Sequence, residues 1–204
     1  MKKNFSFTKW SAFAIILGFL ATSCDPKDKD KTPEPETNQI QYNGTKYTLE
    51  KSLMIDYGAL SLYGSQDTHF NHDFYIADGN IDYQNGQVQE IAGAFAVFSE
   101  LVSAGTTKFN TGTFNYVDNN NDGSLNESQL EAKYKNKSVF ADAKVYIDTN
   151  GNRILSDETP LKATGGSIKV SGSGNTYTLE YNLILENGKT LKGSNSSSFS
   201  KING

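Results

Sequence analysis

Asn43-Gly44 stands between two alternating apolar runs, Ile40 and Tyr42 before it and Tyr47 and Leu49 after it. No other stretch restricts the fold as much. A two-residue turn needs positive φ at both central positions, which Asn-Gly supplies, and its twist matches that of paired strands. Such a turn pairs Tyr42 with Thr45, Ile40 with Tyr47 and Asn38 with Leu49. The apolar members then share one face, and a one-residue slip would move a whole strand's set to the other face. A second meander lies near the other end. Ile168 and Val170 alternate into Gly172-Ser173-Gly174-Asn175, and Tyr177, Leu179, Tyr181, Leu183 and Leu185 alternate out of it. Pairing Val170 with Tyr177 places Ile168 opposite Leu179. At Asn187-Gly188 a two-residue loop sets Ile184 against Leu191, and a three-residue loop sets Leu185 there. The pattern leaves both open.

Further strands are expected at 53–63, 70–76, 91–98, 109–117 and 139–147. The 91–98 run is apolar on both faces, as in a central strand covered on both sides. In the 139–147 run, Val139, Ala141, Ala143, Val145 and Ile147 line one face. No long window repeats at 3.6 residues. One short helix is expected near 127–135, with Asn126 as cap and Gln129 completing a capping box. Leu130 and Tyr134 share one face, and Glu131 and Lys135 pair across one turn. Short strands with turn signals between them predict an all-β chain: an antiparallel β-sandwich, with a lipocalin-like β-barrel as the alternative. Residues 38–204 suffice for a single domain.

The N-terminal part is of a different kind. Lys2, Lys3 and Lys9 precede or open an apolar run from Trp10 to Leu20, followed by Ala21-Thr22-Ser23-Cys24. The run is too short for a span of roughly 20 residues, and its flanks are those of a cleaved signal peptide. The cut site resembles a bacterial lipobox, with Ala21 where leucine is usual. That resemblance implies diacylglycerol on Cys24, cleavage before it and acylation of the new N-terminus. One acyl chain binds a membrane only marginally, so stable anchoring takes more than one. Cys24 is the sole cysteine, so it has no disulfide partner within the chain. Residues 25–37 hold three of the four prolines and no other apolar residue. Such a segment cannot bury enough surface to order itself. It is expected to tether the domain, reaching at most about 43 Å at about 3.3 Å per residue. Its acidic, lysine-rich start resembles the surface-export signal of Bacteroidota lipoproteins, which implies an outward-facing position on the outer membrane. The domains are thus 1–23 signal, 24–37 lipidated cysteine and tether, and 38–204 β domain.

Removing 1–23 takes away three basic residues and no acid, so the formal net charge of −4 becomes −7. Nucleic-acid binding needs a basic face, so nucleic acid is excluded as partner. The expected partners are the bilayer, through acylated Cys24, and a glycan, peptide or surface protein.

The sharpest chemical candidate is a loop at 118–126 that resembles an EF-hand calcium loop. Calcium takes roughly six to eight oxygen ligands from alternating Asp and Asn side chains, with glycine at the sixth place. Asp118, Asn120, Asp122 and Ser124 fall at alternate places, with Gly123 sixth. Gln129 stands where a bidentate glutamate belongs. Asp148, Asn150 and Asn152 repeat the opening spacing, with Arg153 at the glycine place. Both loops follow strands and are expected to lie near each other. Calcium is the one candidate cofactor. His69 and His72 point to opposite faces of a strand. His69, Asn71 and Asp73 share a face of the kind strands show to solvent. No catalytic residue stands out. The tyrosines and phenylalanines, 11 and 12 in number, suit packing, and some tyrosines suit stacking on sugar. The leading expectation is a non-enzymatic binding or structural module. A carboxylate-dependent hydrolase and a lipocalin-like carrier of an apolar ligand are the alternatives.

Overall fold

The computed structural model describes residues 38–204. The signal, the Cys24 acylation site and the tether to Thr37 lie outside the described residues.

The first hairpin forms as expected. β1 (Gln39–Tyr42) and β2 (Thr45–Thr48) pair Tyr42 with Thr45 and Ile40 with Tyr47. Asn43 and Gly44 take φ of 50° and 84°, the left-handed pair that this turn demands. The chain continues through β3 (Lys51–Leu60), β4 (His69–Ala77), β5 (Ile81–Gln84), β6 (Gln87–Ile91), β7 (Phe95–Ala104) and β8 (Gly112–Tyr116). After α1 (Glu127–Tyr134) come β9 (Val139–Ile147), β10 (Leu161–Ser173), β11 (Thr176–Leu185), β12 (Thr190–Ser198) and β13 (Ser200–Asn203). Eleven strands make one sheet in the order β13-β3-β4-β7-β9-β8-β10-β11-β12-β1-β2, while β5 and β6 pair separately. The domain is therefore all-β with one short helix.

The two walls that face each other across the core belong to this one curled sheet. Most pairings are antiparallel; β13–β3 and β8–β9 are parallel. β12 lies at the far side of the order from β3, yet it runs through Phe199 directly into β13, which pairs with β3. The chain itself thus links β13, at one end of the hydrogen-bonded path, to β12, two strands from the other end, giving a curled, half-barrel wall with a filled interior. Phe74, Phe95, Phe114 and Phe140 are fully buried inside, each stabilising by about 1.5–3 kcal/mol relative to exposure. Tyr47 stacks on Phe95 at 3.9 Å, which folds the β1–β2 hairpin over the core. The tight curl requires glycine at 193: its φ is +136°, and a Cβ there would run into the Gln39 carbonyl oxygen on β1.

Three expectations about register change. β10 and β11 pair Val170 with Leu179 and Ile168 with Tyr181, two residues from the expected alignment. Gly174, at φ 65°, starts a two-residue turn with Asn175, so the preceding Gly172-Ser173 extends the strand instead of the loop. The even offset keeps every side chain on its expected face. β11 and β12 pair Leu183 with Leu191 around a three-residue loop, Glu186-Asn187-Gly188, with Gly188 at φ 76°. In β9 the register to β7 shifts between Asp142 and Phe140. The bulge at Ala141 turns Phe140 into the core, and Val139 joins an outer cluster with Val102 and Tyr134.

The expected 91–98 strand is divided: β6 ends at Ile91 and β7 begins at Phe95, with a break at Ala92-Gly93-Ala94. The outer face of β7 is covered at both ends. At one end the β5–β6 ribbon and Leu155 cover Ala96; at the other, α1 covers Val102. α1 has the expected capping box: Gln129 N donates to Asn126 Oδ1 at 3.0 Å and Asn126 N to Gln129 Oε1 at 2.9 Å. Leu130 and Tyr134 pack inward, and Lys135 pairs with Glu131 at 2.7 Å.

Candidate functional site

A bulge in β3 builds a concave site lined by charged and aromatic groups. Asp56 pairs with His72 in register and Gly58 with Asn71, so Tyr57 is the extra residue. Gly58, at φ +79°, lets the chain step over, and its N–H donates to Asp56 Oδ1 at 3.0 Å. Asp56 then faces the mouth of the curled sheet. Lys201, delivered by the parallel β13 pairing, donates from Nζ to Asp56 Oδ2 at 2.7 Å. His72 Nε2 lies 3.4 Å from Asp56 Oδ1, an ion-pair distance without hydrogen-bond alignment, and its Nδ1 has no partner among the described residues. The imidazole is stacked on Phe109 at 4.3 Å and meets Phe70 edge-on at 5.6 Å. These groups and Tyr177 line a pocket of about 440 Å³, rimmed by the 107–111 loop and the Gly172–Gly174 turn. That volume falls in the roughly 300–1,000 Å³ range of small-molecule sites.

The electrostatics follow from placement. Burial alone would raise the Asp56 carboxyl; the Lys201 hydrogen bond, His72 and the Gly58 amide outweigh it and hold it below the usual range. Burial pulls His72 down, and Asp56 only partly restores it. At neutral pH the pocket thus holds a carboxylate, an ammonium and a neutral imidazole against aromatic rings.

A second constellation lies on the outer face, between α1 and the β5–β6 ribbon. Asp73 on β4 stands opposite Glu100 on β7, which stands opposite Asp142 on β9. Burial first, then Glu100 and Asp142, push the Asp73 carboxyl up to about 7, against a small opposing pull from Lys144. Burial and Asp142 also raise Glu100. His69, Asn71 and Asp73 share a face as expected, but that face is buried: the three are only 0, 6 and 8 % exposed. The His69 ring instead contacts Thr68 Oγ1 at 2.8 Å and the Lys137 carbonyl at 3.2 Å.

The two calcium-like loops do not come together. Val117 N donates to Phe140 O, so the 118–126 loop leaves near the start of β9, and Asp148 follows its end. Eight strand residues at about 3.3 Å each separate them by about 26 Å. Within the first loop, Asp118 Oδ1 accepts from Asn120 N at 3.0 Å, and Ser124 Oγ donates to Asn121 O. The Asp122 carboxylate is taken by Lys133 Nζ and the Tyr134 hydroxyl, and Lys133 also reaches Asp118 O. An ammonium thus occupies the place where a cation would sit. In the second loop, the side-chain oxygens of Asp148, Asn150 and Asn152 accept from the backbone amides of Gly151, Asn152 and Ile154, each at 2.8 Å. They fold the loop onto itself. Among the described residues no group of three or more His, Cys, Asp and Glu is arranged to hold a metal ion.

Sequence reasoning missed Asp56, Lys201 and the Asp73–Glu100–Asp142 row. Neither group is close in sequence, and only strand order assembles them. No family model, curated protein or solved structure matches the chain.

Proposed function

We propose that this chain is a lipoprotein held on the outer membrane through acylated Cys24, facing outward, whose β domain binds the end of a glycan in its mouth pocket without transforming it. The observation that carries the reading is the pocket itself: aromatic rings beside the fixed Asp56–Lys201 pair and a buried imidazole nitrogen without a partner among the described residues. With the Asp56 carboxylate near Nε2 carrying the proton there, Nδ1 is left as an acceptor, suited to a ligand hydroxyl. Sugars offer hydroxyls at the rim and an apolar face for the rings. Both oxygens of Asp56 are already engaged, which suits positioning more than proton transfer. The signal, lipobox and tether residues support the address.

An oligosaccharide screen on the full chain in detergent, followed by calorimetry, tests the pocket. Asp56→Asn and Lys201→Met should each weaken the best ligand at least tenfold. A ligand indifferent to both changes would overturn the assignment. Protease treatment of intact cells, with mass spectrometry of the N-terminal peptide, tests the address: retention inside, or unmodified Cys24, would overturn it.

A further inference from the structure

The outer face already shows what it holds. Lys144 Nζ sits 2.5 Å from Asp142 Oδ2 and 5.1 Å from the centre of the Phe98 ring. An ammonium between a carboxylate and an aromatic face is stabilised twice, by charge and by the ring quadrupole. The next position along the shelf repeats the pattern without an ion-paired cation; Lys144, paired with Asp142, pulls on both of its acids only from beyond contact distance. Asp73 and Glu100 face each other across β4 and β7, and no lysine or arginine among the described residues forms an ion pair with either. Tyr75 stands beside Asp73 on β4, with its ring 4.8 Å from that of Phe98. Tyr57 projects from the β3 bulge, 46 % exposed; burial first, then Asp73 and Glu100, raise its hydroxyl.

A polar group outside the acid row points the same way. Asn71, 6 % exposed, donates from Nδ2 to Glu100 Oε1 at 3.4 Å, and its Oδ1 has no partner among the described residues; nor has Asp73 Oδ1. Buried acceptors without donors are costly. A donor-only, positively charged ligand would satisfy both.

We infer that the Asp73–Glu100–Asn71 shelf, flanked by Tyr57 and Tyr75, binds a primary ammonium group carried on an alkyl chain. Carboxylates take the charge, Asn71 Oδ1 takes an N–H, and the rings take the adjoining methylenes. A divalent metal fits less well. No three acids or histidines converge on one point among the described residues, and ring faces do not replace hard oxygen ligands. The groups facing the position are Tyr57 on β3, Asn71 and Tyr75 on β4, Glu100 on β7, and Asp142, Lys144 and Tyr146 on β9. This inference does not depend on the mouth pocket.

The test is calorimetry and thermal unfolding of the full chain in detergent, at pH 8 and low salt. The probes are 1,4-diaminobutane, an N-acetyl-glycyl-lysyl-glycine amide peptide and its Nε-acetylated form, with calcium and sodium chloride at matched ionic strength. Saturable binding by an amine, with at least tenfold loss in Glu100→Gln, is expected. Binding by the lysine peptide but not its acetylated form identifies a protein side chain as the source. Binding by the diamine alone identifies a free amine. Asp73→Asn, which removes the repulsion, should melt higher than the parent while binding amine at least tenfold more weakly; this separates folding from recognition. No saturable amine binding, equal stabilisation by calcium, or unchanged affinity in both variants would overturn the inference.

Discussion

Replacing Asp73 by asparagine should stabilise the domain, by an amount that depends on pH. Burial, Glu100 and Asp142 together lift the Asp73 carboxyl from 3.8 to about 7. The folded state therefore binds that proton more tightly than the unfolded chain does. Below 3.8 both states hold it, and the carboxyl costs nothing. Between 3.8 and about 7 the unfolded state ionises first, so stability falls as pH rises. Above about 7 the full cost is present. Each pKa unit corresponds to about 1.4 kcal/mol, so the cost is about 4 kcal/mol at most. For a domain of this size that is about 10 °C in Tm. Asparagine keeps the shape and loses the charge. Its advantage over the parent should be negligible at pH 3.5, grow steadily, and level off above pH 7.5. Urea unfolding of both proteins at half-unit pH steps measures it directly. An advantage that does not vary with pH, or a variant less stable than the parent at pH 8, would refute the placement of Asp73 against Glu100.

The chain has two histidines, so their titrations are easily resolved by NMR. Burial lowers both below 6.5. The unfolded chain is then protonated first, and stability falls as pH drops below 6.5; an imidazole titrating at or above that value contradicts the packing of His69 or His72. Phe199→Ala, at the crossover into β13, removes a ring that is 2 % exposed and 5.2 Å from Phe74. It should cost about 3–5 kcal/mol in urea unfolding, and a loss under about 1 kcal/mol would deny Phe199 a place in the core. Asp122→Asn should cost about 2 kcal/mol through its bonds to Lys133 and Tyr134, equally with and without calcium. A cost that appears only with calcium would show that the loop, not the lysine, uses Asp122.

Local chemistry made some of this fold readable. Asn43-Gly44 could be placed because both neighbours alternate, and Asn126 with Gln129 because a capping box is a short-range arrangement. The same Asn-Gly signal at 85–86 closes the β5–β6 hairpin, at φ of 53° and 75°. There Gln84, Gln87, Gln89 and Glu90 leave little alternation around it, so the sequence marks that hairpin weakly. The bulge at Ala141 carries no distinctive residue, so the facing of Val139 and Phe140 could not be read. The site was least legible of all. Asp56 and His72 meet through the β3–β4 register at a bulge, and Lys201 joins them only because β13 pairs in parallel with β3, a pairing that leaves no turn to recognise. Asp73, Glu100 and Asp142 align through register alone.

That parallel seam also orders events in time. Residues 200–203 must find residues 53–56, a pairing about as distant in sequence as that of β1 with β12, and closing so long a loop is entropically late. Lys201 reaches Asp56 only when this happens. The mouth pocket is therefore assembled by the closing step, not before it. A molecule seated there would act as a latch on the finished wall, slowing its opening without speeding the earlier steps of folding.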